Sequence, residues 1–359
     1  MQLSEFDFDL PEDLIALRPA VPRDTARLLV SKPNHGIEDA IVSALPTYLR
    51  SGDVLIFNDT RTLAASLRAT RAQRGPVGGP VSVDINLHQR VDGARWKAFV
   101  RPAKRVALGD VLTFHDDFQA EVSGLGEAGE VTLTFSKSGV DLDQAIAKFG
   151  SMPLPPYIAR KRAVDAQDAQ DYQTVYARAE GSVATPTAGL HFTPNLLKSL
   201  DEAGIESHWV TLHVGAGTFL PVKVDNIQDH VMHSETYEVS AQTAVAVARA
   251  KAEGRRVIAV GTTSLRTLES IVDQDGQITY GGGDTSIFIT PGYRFTVVDG
   301  LITNFHLPKS TLLMLVGALI GMEALRDVYR HAIDARYRFY SYGDASLLWK
   351  HPLHELYLY

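Results

Sequence analysis

The sequence predicts an α/β protein with an all-β domain inserted into it, and three observations carry that prediction. At 359 residues the chain exceeds one ordinary compact core, so two domains are expected. From "RGPVGGP" (74–80) to about residue 150, apolar and polar residues alternate in short runs separated by Gly and Asp turns. That is the pattern of a small antiparallel sheet or barrel. After about residue 165 the texture changes again, to apolar strands alternating with helix patterns, as in an α/β domain.

Taken in order, a short helix is expected after Pro11 and a buried strand in "DVLIFND" (53–59). "VSVDINLHQ", "RWKAFVRP", "DVLTF", "FQAEVSG" and "VTLTF" read as strands of the inserted domain, which exits through the proline-rich "SMPLPPYI". Thr193 can cap a helix that opens with Pro194 and ends before Gly204. "IESHWVTLHV" (205–214) alternates like a strand, and Ser240 caps an Ala- and Val-rich helix that stops at Gly254. "RRVIAVG" (255–261) is a continuous apolar strand of the kind buried on both faces. "TTSLRTLESIV" starts a helix, "TSIFIT" (285–290) is another strand, and 310–332 is largely helical. Strand–helix alternation implies right-handed crossovers and a mostly parallel sheet, open or closed. The simplest arrangement makes 1–60 plus 150–359 one α/β domain, with 61–149 as the inserted all-β domain.

Composition narrows the chemistry. There are no cysteines, which excludes disulfides, thiolate zinc sites and thiol nucleophiles and fits a cytoplasmic setting. The N-terminus lacks the basic start and apolar core of a signal peptide. The longest apolar run, "TLLMLVGALIG" from Thr311, is about half of the ~20 residues a membrane span needs. No membrane association is expected. Asn58-Asp59-Thr60 matches a glycosylation sequon, taken here as chance. The net charge of −7 argues against a generic nucleic-acid coat but permits a local basic face. Basic residues cluster at Arg61, Arg68, Arg71 and Arg74, at Arg101, Lys104 and Arg105, and at Arg160, Lys161 and Arg162. Solvated loop charge would look the same.

Candidate chemistry sits where strands give way to loops, since the amides of a helix start attract anions. In "AVGTTSLRTLES", Thr262 and Thr263 open a helix and Arg266 lies one turn in, a place for a carboxylate or phosphate. An ordinary Thr-capped helix reads identically. "HVGAGTF" offers Gly215 and Gly217 for close backbone approach beside His213. Leu220 stands where a dinucleotide fingerprint needs its third glycine, so that reading fails. His230, His233 and Glu235 fall outside any recognised zinc spacing, and neither a metal nor a redox cofactor is expected. "TPTAGLHFT" (185–193) combines Thr187, Gly189, His191 and Phe192. "LITNFHLPKSTLL" holds His306, and "YRFYSYGDASLL" holds Tyr340, Tyr342 and Asp344. Each stretch alone fits a structural role. Together they suggest one pocket assembled from several strand ends.

Those stretches also carry a resemblance. "FDFDLPEDLIA", "VPRDTARLLV", "GDVLIFNDTRTL", "ATPTAGLHFT", "HVGAGTF", "HVMHSETYEV", "VIAVGTTSLRTLES", "FITPGYRFTVVDGLITNFHLPKSTLLMLV" and "YRFYSYGDASLL" occur in order. They are similar to the motifs of the S-adenosylmethionine:tRNA ribosyltransferase-isomerases. The segment from about 75 to 150 adds little beyond its short strands. The resemblance implies a barrel-like α/β major domain with an inserted all-β domain. It also implies a transferase of queuosine biosynthesis, which moves the ribosyl part of S-adenosylmethionine onto aminomethyl-deazaguanine at the tRNA wobble position. Epoxyqueuosine-tRNA forms, and adenine and methionine leave.

For that reaction a general base must act beside the sulfonium, and His191, His213 and His306 are the candidates. A second His or Asp344 would serve as the acid for departing adenine. Arg266 with Thr262 and Thr263 suits the methionine carboxylate, and Phe192 with Tyr340 or Tyr342 would line an adenine slot. Thr187, Gly189, Gly215 and Gly217 would complete the substrate loops. The tRNA would meet Arg160, Lys161, Arg162, Arg101, Lys104 and Arg105, with no obligate protein partner evident. Two other readings stay open at this stage: an α/β enzyme of small nucleotides or sugar phosphates with a β lid, or a non-catalytic RNA-binding protein.

Overall fold

The computed structural model describes residues 1–32, 36–74, 79–215 and 222–351. The strands, in chain order, are β1 (Arg27–Lys32), β2 (Gly36–Ile41), β3 (Val54–Asn58), β4 (Thr60–Thr62), β5 (Ser66–Arg71), β6 (Val81–Arg90), β7 (Arg95–Arg101), β8 (Val111–His115) and β9 (Phe118–Leu125). They continue with β10 (Glu130–Phe135), β11 (Ala179–Ser182), β12 (Glu206–Leu212), β13 (Glu235–Val239), β14 (Val257–Val260), β15 (Gly281–Thr285), β16 (Gly300–Asn304) and β17 (Ala345–Trp349). The helices are α1 (Gly139–Phe149), α2 (Pro156–Ala159), α3 (Asp168–Asp171), α4 (Pro194–Glu202), α5 (Ala241–Ala252), α6 (Thr262–Ser270), α7 (Thr311–Ile320) and α8 (Met322–Asp334).

Nine strands form the major sheet, in the order β15-β13-β12-β3-β14-β16-β17-β1-β2. Its central strands are buried on both faces because every other side chain joins a different core, while the edge strand β2 is largely exposed. On β3, Val54 and Ile56 face one cluster with helices α5 to α8, while Leu55 and Phe57 face another with α4. Val257 and Ala259 against Ile258 and Val260 repeat this division on β14. A two-residue period inside an apolar run thus makes a three-layer α/β sandwich.

The six strands β10-β7-β6-β5-β8-β9 close into an antiparallel barrel. Leu67, Val83, Ile85, Trp96, Leu112, Phe118, Val122 and Leu133 fill it, and Leu142, Ala145 and Ile146 of α1 pack against that interior. The α/β class and the inserted small barrel are therefore as expected.

Four details differ. The β12-β3-β14-β16 block is parallel, but β13, β15, β17 and β2 each join antiparallel, so only half of the sheet's pairings are parallel. The sheet's hydrogen-bonded order has two ends, β15 and β2, rather than closing on itself. The strand expected in "TSIFIT" lies in "GGGDT" instead, where Gly283 passes under the ring of Tyr237: a Cβ there would sit 2.8 Å from the phenol oxygen. After Pro11 there is a single 3-10 turn, Glu12–Leu14, in place of a helix.

Candidate active site

The parallel block ends at Leu212, Asn58, Val260 and Asn304, all on one edge of the sheet. Antiparallel neighbours reverse direction, so β13 begins (Glu235) and β17 begins (Ala345) at that same edge. The barrel leaves from it too, through β4, which pairs with the returning β11. The candidate loops and the inserted domain thus share one rim.

Buried Asn58 stitches two of these strands together: its amide donates to Leu212 O at 3.0 Å and accepts Leu212 N–H at 3.0 Å. A side chain so placed is no glycan acceptor. Asp59 follows, accepting Thr211 Oγ1 at 2.7 Å and Arg178 Nη2 at 2.8 Å. Next, Thr60 Oγ1 lies 2.9 Å from His213 Nδ1 and 3.4 Å from Ala179 O. A carbonyl can only accept, so the consistent chain runs Nδ1–H to Thr60 and Thr60 to Ala179. That leaves Nε2 with its lone pair, and this atom has no partner among the described residues. His213 is half-buried, and burial lowers its pKa, opposed by the charges of Asp59 and Glu238. Gly181 presses on the ring: at φ +146, a Cβ would lie 2.8 Å from Cε1.

The other two candidate bases are differently placed. In the 3-10 turn Thr187–His191, His191 has Nδ1 3.1 Å from Ala188 O and Nε2 2.9 Å from Gly343 O. Both nitrogens face backbone oxygens, so the ring staples this turn to the loop before β17. Burial lowers its pKa, and the two carbonyls oppose the shift. His306 Nε2 lies 3.0 Å from Thr303 Oγ1, and the Tyr329 hydroxyl accepts the His306 backbone N–H at 3.0 Å. Burial pushes His306 down to about 3.

A histidine depressed on folding lends stability that is complete above its unfolded pKa and lost as pH falls toward the folded one. Unfolding midpoints in urea should therefore decline as pH drops below ~6.5, and His306→Gln should flatten that decline. An equal decline in the variant would assign it to other groups.

Thr187 donates to Asn304 Oδ1 at 3.1 Å, and Asn304 donates on to Tyr340 O at 3.1 Å. Gly189 has no room for a side chain, since a Cβ would meet Tyr176 Oη at 2.0 Å. Phe192 is fully buried, edge-on to Phe57 at 4.9 Å, so it belongs to the core rather than to a ligand slot. Tyr340, at φ +71, packs edge-on to Tyr157 at 4.8 Å, and burial raises its pKa to about 12. Tyr342 is buried edge-on to Tyr172 at 5.9 Å, its hydroxyl without a partner among the described residues. Asp344, 1% exposed, accepts the backbone N–H of Arg27 at 3.1 Å and of Arg338 at 2.8 Å, plus the Arg338 guanidinium at 3.1 Å. It anchors β1 to β17.

On the other side of the rim, Gly261 (φ +88) turns the chain from β14 into α6. Thr262 is buried, Thr263 Oγ1 is buried without a partner, and Arg266 pairs with Glu235 through Nη1. Glu235 also accepts Gly215 N–H at 2.9 Å. Gly217 lies outside the described residues. Glu235 is thus turned away from metal binding with His230, whose ring packs on Phe288 at 5.4 Å. Among the described residues no group of three or more His, Asp or Glu could hold a metal. The sequence motifs contain Thr60 and Glu235 but not their roles, which, like that of Gly181, rest on partners far along the chain.

The basic clusters also separate. Lys161 pairs with Glu12 at 2.9 Å, and Arg162 grips the buried Asp168 at 2.5 and 2.8 Å. Arg160 is exposed, and so are Arg101, Lys104 and Arg105, which form no ion pair among the described residues.

Comparison with known proteins decides the family: a model described as a queuosine biosynthesis protein matches residues 3–348. The chain belongs to that queuosine biosynthesis family. A relative from Allorhizobium ampelinum, named S-adenosylmethionine:tRNA ribosyltransferase-isomerase, is 58% identical over 98% of this chain and 99% of its own. One of the same name from Maricaulis maris is 57% identical over 97% and 99%. The crystal structure of the S-adenosylmethionine tRNA ribosyltransferase of Thermotoga maritima is 35% identical, with a TM-score of 0.54, over 96% of this chain and 99% of that one. The family match therefore runs from residue 3 to residue 348. Among the described residues no helix is long and apolar enough to cross a membrane.

Proposed function

We propose that this protein transfers and isomerises the ribosyl moiety of S-adenosylmethionine onto aminomethyl-deazaguanine at the tRNA wobble position, giving epoxyqueuosine-tRNA, adenine and methionine. The observation that carries this reading is end-to-end similarity at 57–58% identity to relatives named for the reaction. The rim adds a chemical rationale. It presents a half-buried imidazole whose Nε2 has no partner among the described residues (His213) and, joined to the same loop through Glu235 and Gly215, a buried guanidinium whose Nη2 has none either (Arg266). His213 is the general base, taking the proton next to the sulfonium. Arg266, Thr262 and Thr263 receive the methionine carboxylate. Tyr340 is the aromatic candidate for adenine. The reaction needs only S-adenosylmethionine and tRNA as substrates, in the cytoplasm. The test is incubation with S-adenosylmethionine and tRNA bearing the aminomethyl base. Adenine and methionine should be released together with a matching mass gain on the tRNA, and their absence would overturn the reading.

We place the catalytic work on residues 1–60 plus 150–359 and assign tRNA contacts to the inserted segment 61–149. The unpaired Arg101, Lys104 and Arg105 are the phosphate contacts favoured by geometry, since Lys161 and Arg162 already have carboxylate partners. Replacing all three by Ala should weaken tRNA binding and reduce the slope of log K against log salt by up to ~0.7–0.9 per lost contact. An unchanged slope would remove this face from the tRNA site.

A further inference from the structure

Arg266 and Glu235 are 6% and 7% exposed, so their ion pair is buried. Glu235 divides its oxygens, Oε1 accepting Gly215 N–H at 2.9 Å and Oε2 accepting from Arg266 Nη1. Arg266 Nε donates to Ile287 O at 3.4 Å, a long contact. Its Nη2 is buried with no partner among the described residues, and so is Thr263 Oγ1 at the start of the same helix. A buried donor left unmade costs roughly 1–3 kcal/mol, more when charged, and folded proteins seldom retain one without reason. Helical side chains lean toward the N-terminus of their helix. Arg266 therefore projects toward the end of α6 where Thr263 and the free amides lie. Two unused donors at a helix start call for an acceptor brought by a ligand. Because Glu235 neutralises the guanidinium, what remains suits a single carboxylate rather than a highly charged phosphate.

We propose that Glu235 is a positioning residue. It turns Arg266 so that Nη2 meets the carboxylate of the donor's methionine half, and it ties that guanidinium to the 213–215 loop carrying His213. This inference rests on the function proposed above and adds a residue to it. Through one carboxylate, occupancy of the methionine end is linked to placement of the base. Without Glu235, the guanidinium loses its fixed direction and the glycine loop loses its anchor.

The experiment compares S-adenosylmethionine with decarboxylated S-adenosylmethionine, on tRNA bearing the aminomethyl base, in wild type and Glu235→Gln. A charge-assisted hydrogen bond corresponds to about 10- to 100-fold in kcat/KM, and wild type should prefer the carboxylated donor by that factor. In Glu235→Gln the amide turns a donor toward Arg266 or Gly215. The preference should shrink to within a few-fold, mainly through a raised KM for the carboxylated donor. A merely structural role would slow both donors equally, leave their ratio intact and overturn the proposal. Equal use of both donors by wild type would also overturn it, while the enzymatic function stood. Wild type that releases no adenine from either donor would instead overturn the function itself. Should Glu235→Gln fail to fold, Arg266→Lys keeps a cation opposite Glu235 but lacks the second nitrogen of the guanidinium fork. It should erase the same preference, and retention of the preference would again refute the proposal.

Discussion

His213→Gln is expected to reduce turnover by roughly 10²- to 10⁴-fold, the usual contribution of a positioned general base, while S-adenosylmethionine and tRNA binding change by only a few-fold. Of the three candidate histidines, His213 and His306 each keep one ring nitrogen without a partner among the described residues. His191 has both nitrogens against carbonyl oxygens, and His306, at about 3, is too weak a base for the task. His213 is held at Nδ1 by Thr60 and braced by Gly181. Gly181→Ala therefore makes an informative partner variant. It removes no chemical group but forces a Cβ into the ring, so it should also lower turnover sharply. The pH profile gives an independent check. A base works when deprotonated, so the rate should rise with pH through the His213 pKa, which burial holds below its ordinary value. The acidic limb belongs below ~6.5, and it should vanish in His213→Gln. Near-normal turnover in His213→Gln, with the limb intact, would move the base elsewhere.

The strands of the sheet and barrel were legible because burial imposes a period. Val54–Phe57 within "DVLIFND" and Val257–Val260 within "RRVIAVG" are apolar at every position, which only a sheet covered on both faces can use. "VSVDINLHQ" alternates because one side faces the barrel interior. "TSIFIT" misled for a related reason: its apolar run suggested a strand, whereas pairing with β13 required a flat glycine stretch beneath Tyr237. The site was legible as a set of loops but not as a set of roles. His191, His213 and His306 look alike in sequence, and what separates them is the partner of each ring nitrogen. Gly343 is 152 residues from His191, and Thr60 is 153 from His213. Phe192 shows the same limit, since an aromatic beside a motif histidine can equally face the core, as this one does.

Glu269→Ala should be among the most damaging single changes to stability, although Glu269 touches no part of the reactive rim. Its carboxylate is 5% exposed and accepts three consecutive backbone N–H groups: Thr296 at 2.9 Å, and Val297 and Val298 at 3.0 Å each. Tyr293 Oη donates to it as well at 3.3 Å. No regular element satisfies those amides, because they lie in the irregular stretch that leads into β16. Truncation leaves three donors unpaired, two of them on buried valines, at roughly 1–3 kcal/mol each. The expected loss is about 3–6 kcal/mol, a large share of the ~5–15 kcal/mol that holds a typical domain. Glu269→Gln should fall between, since one amide oxygen still accepts while the NH₂ faces a donor. Urea unfolding of the three proteins measures this directly. The effect should reach the active site as well, because Glu269 is on α6, three residues beyond Arg266. Any folded Glu269→Ala protein should bind S-adenosylmethionine more weakly than its tRNA affinity alone would suggest. A loss under 1 kcal/mol would mean that these amides find other acceptors, and the loop before β16 would then be held by its valines.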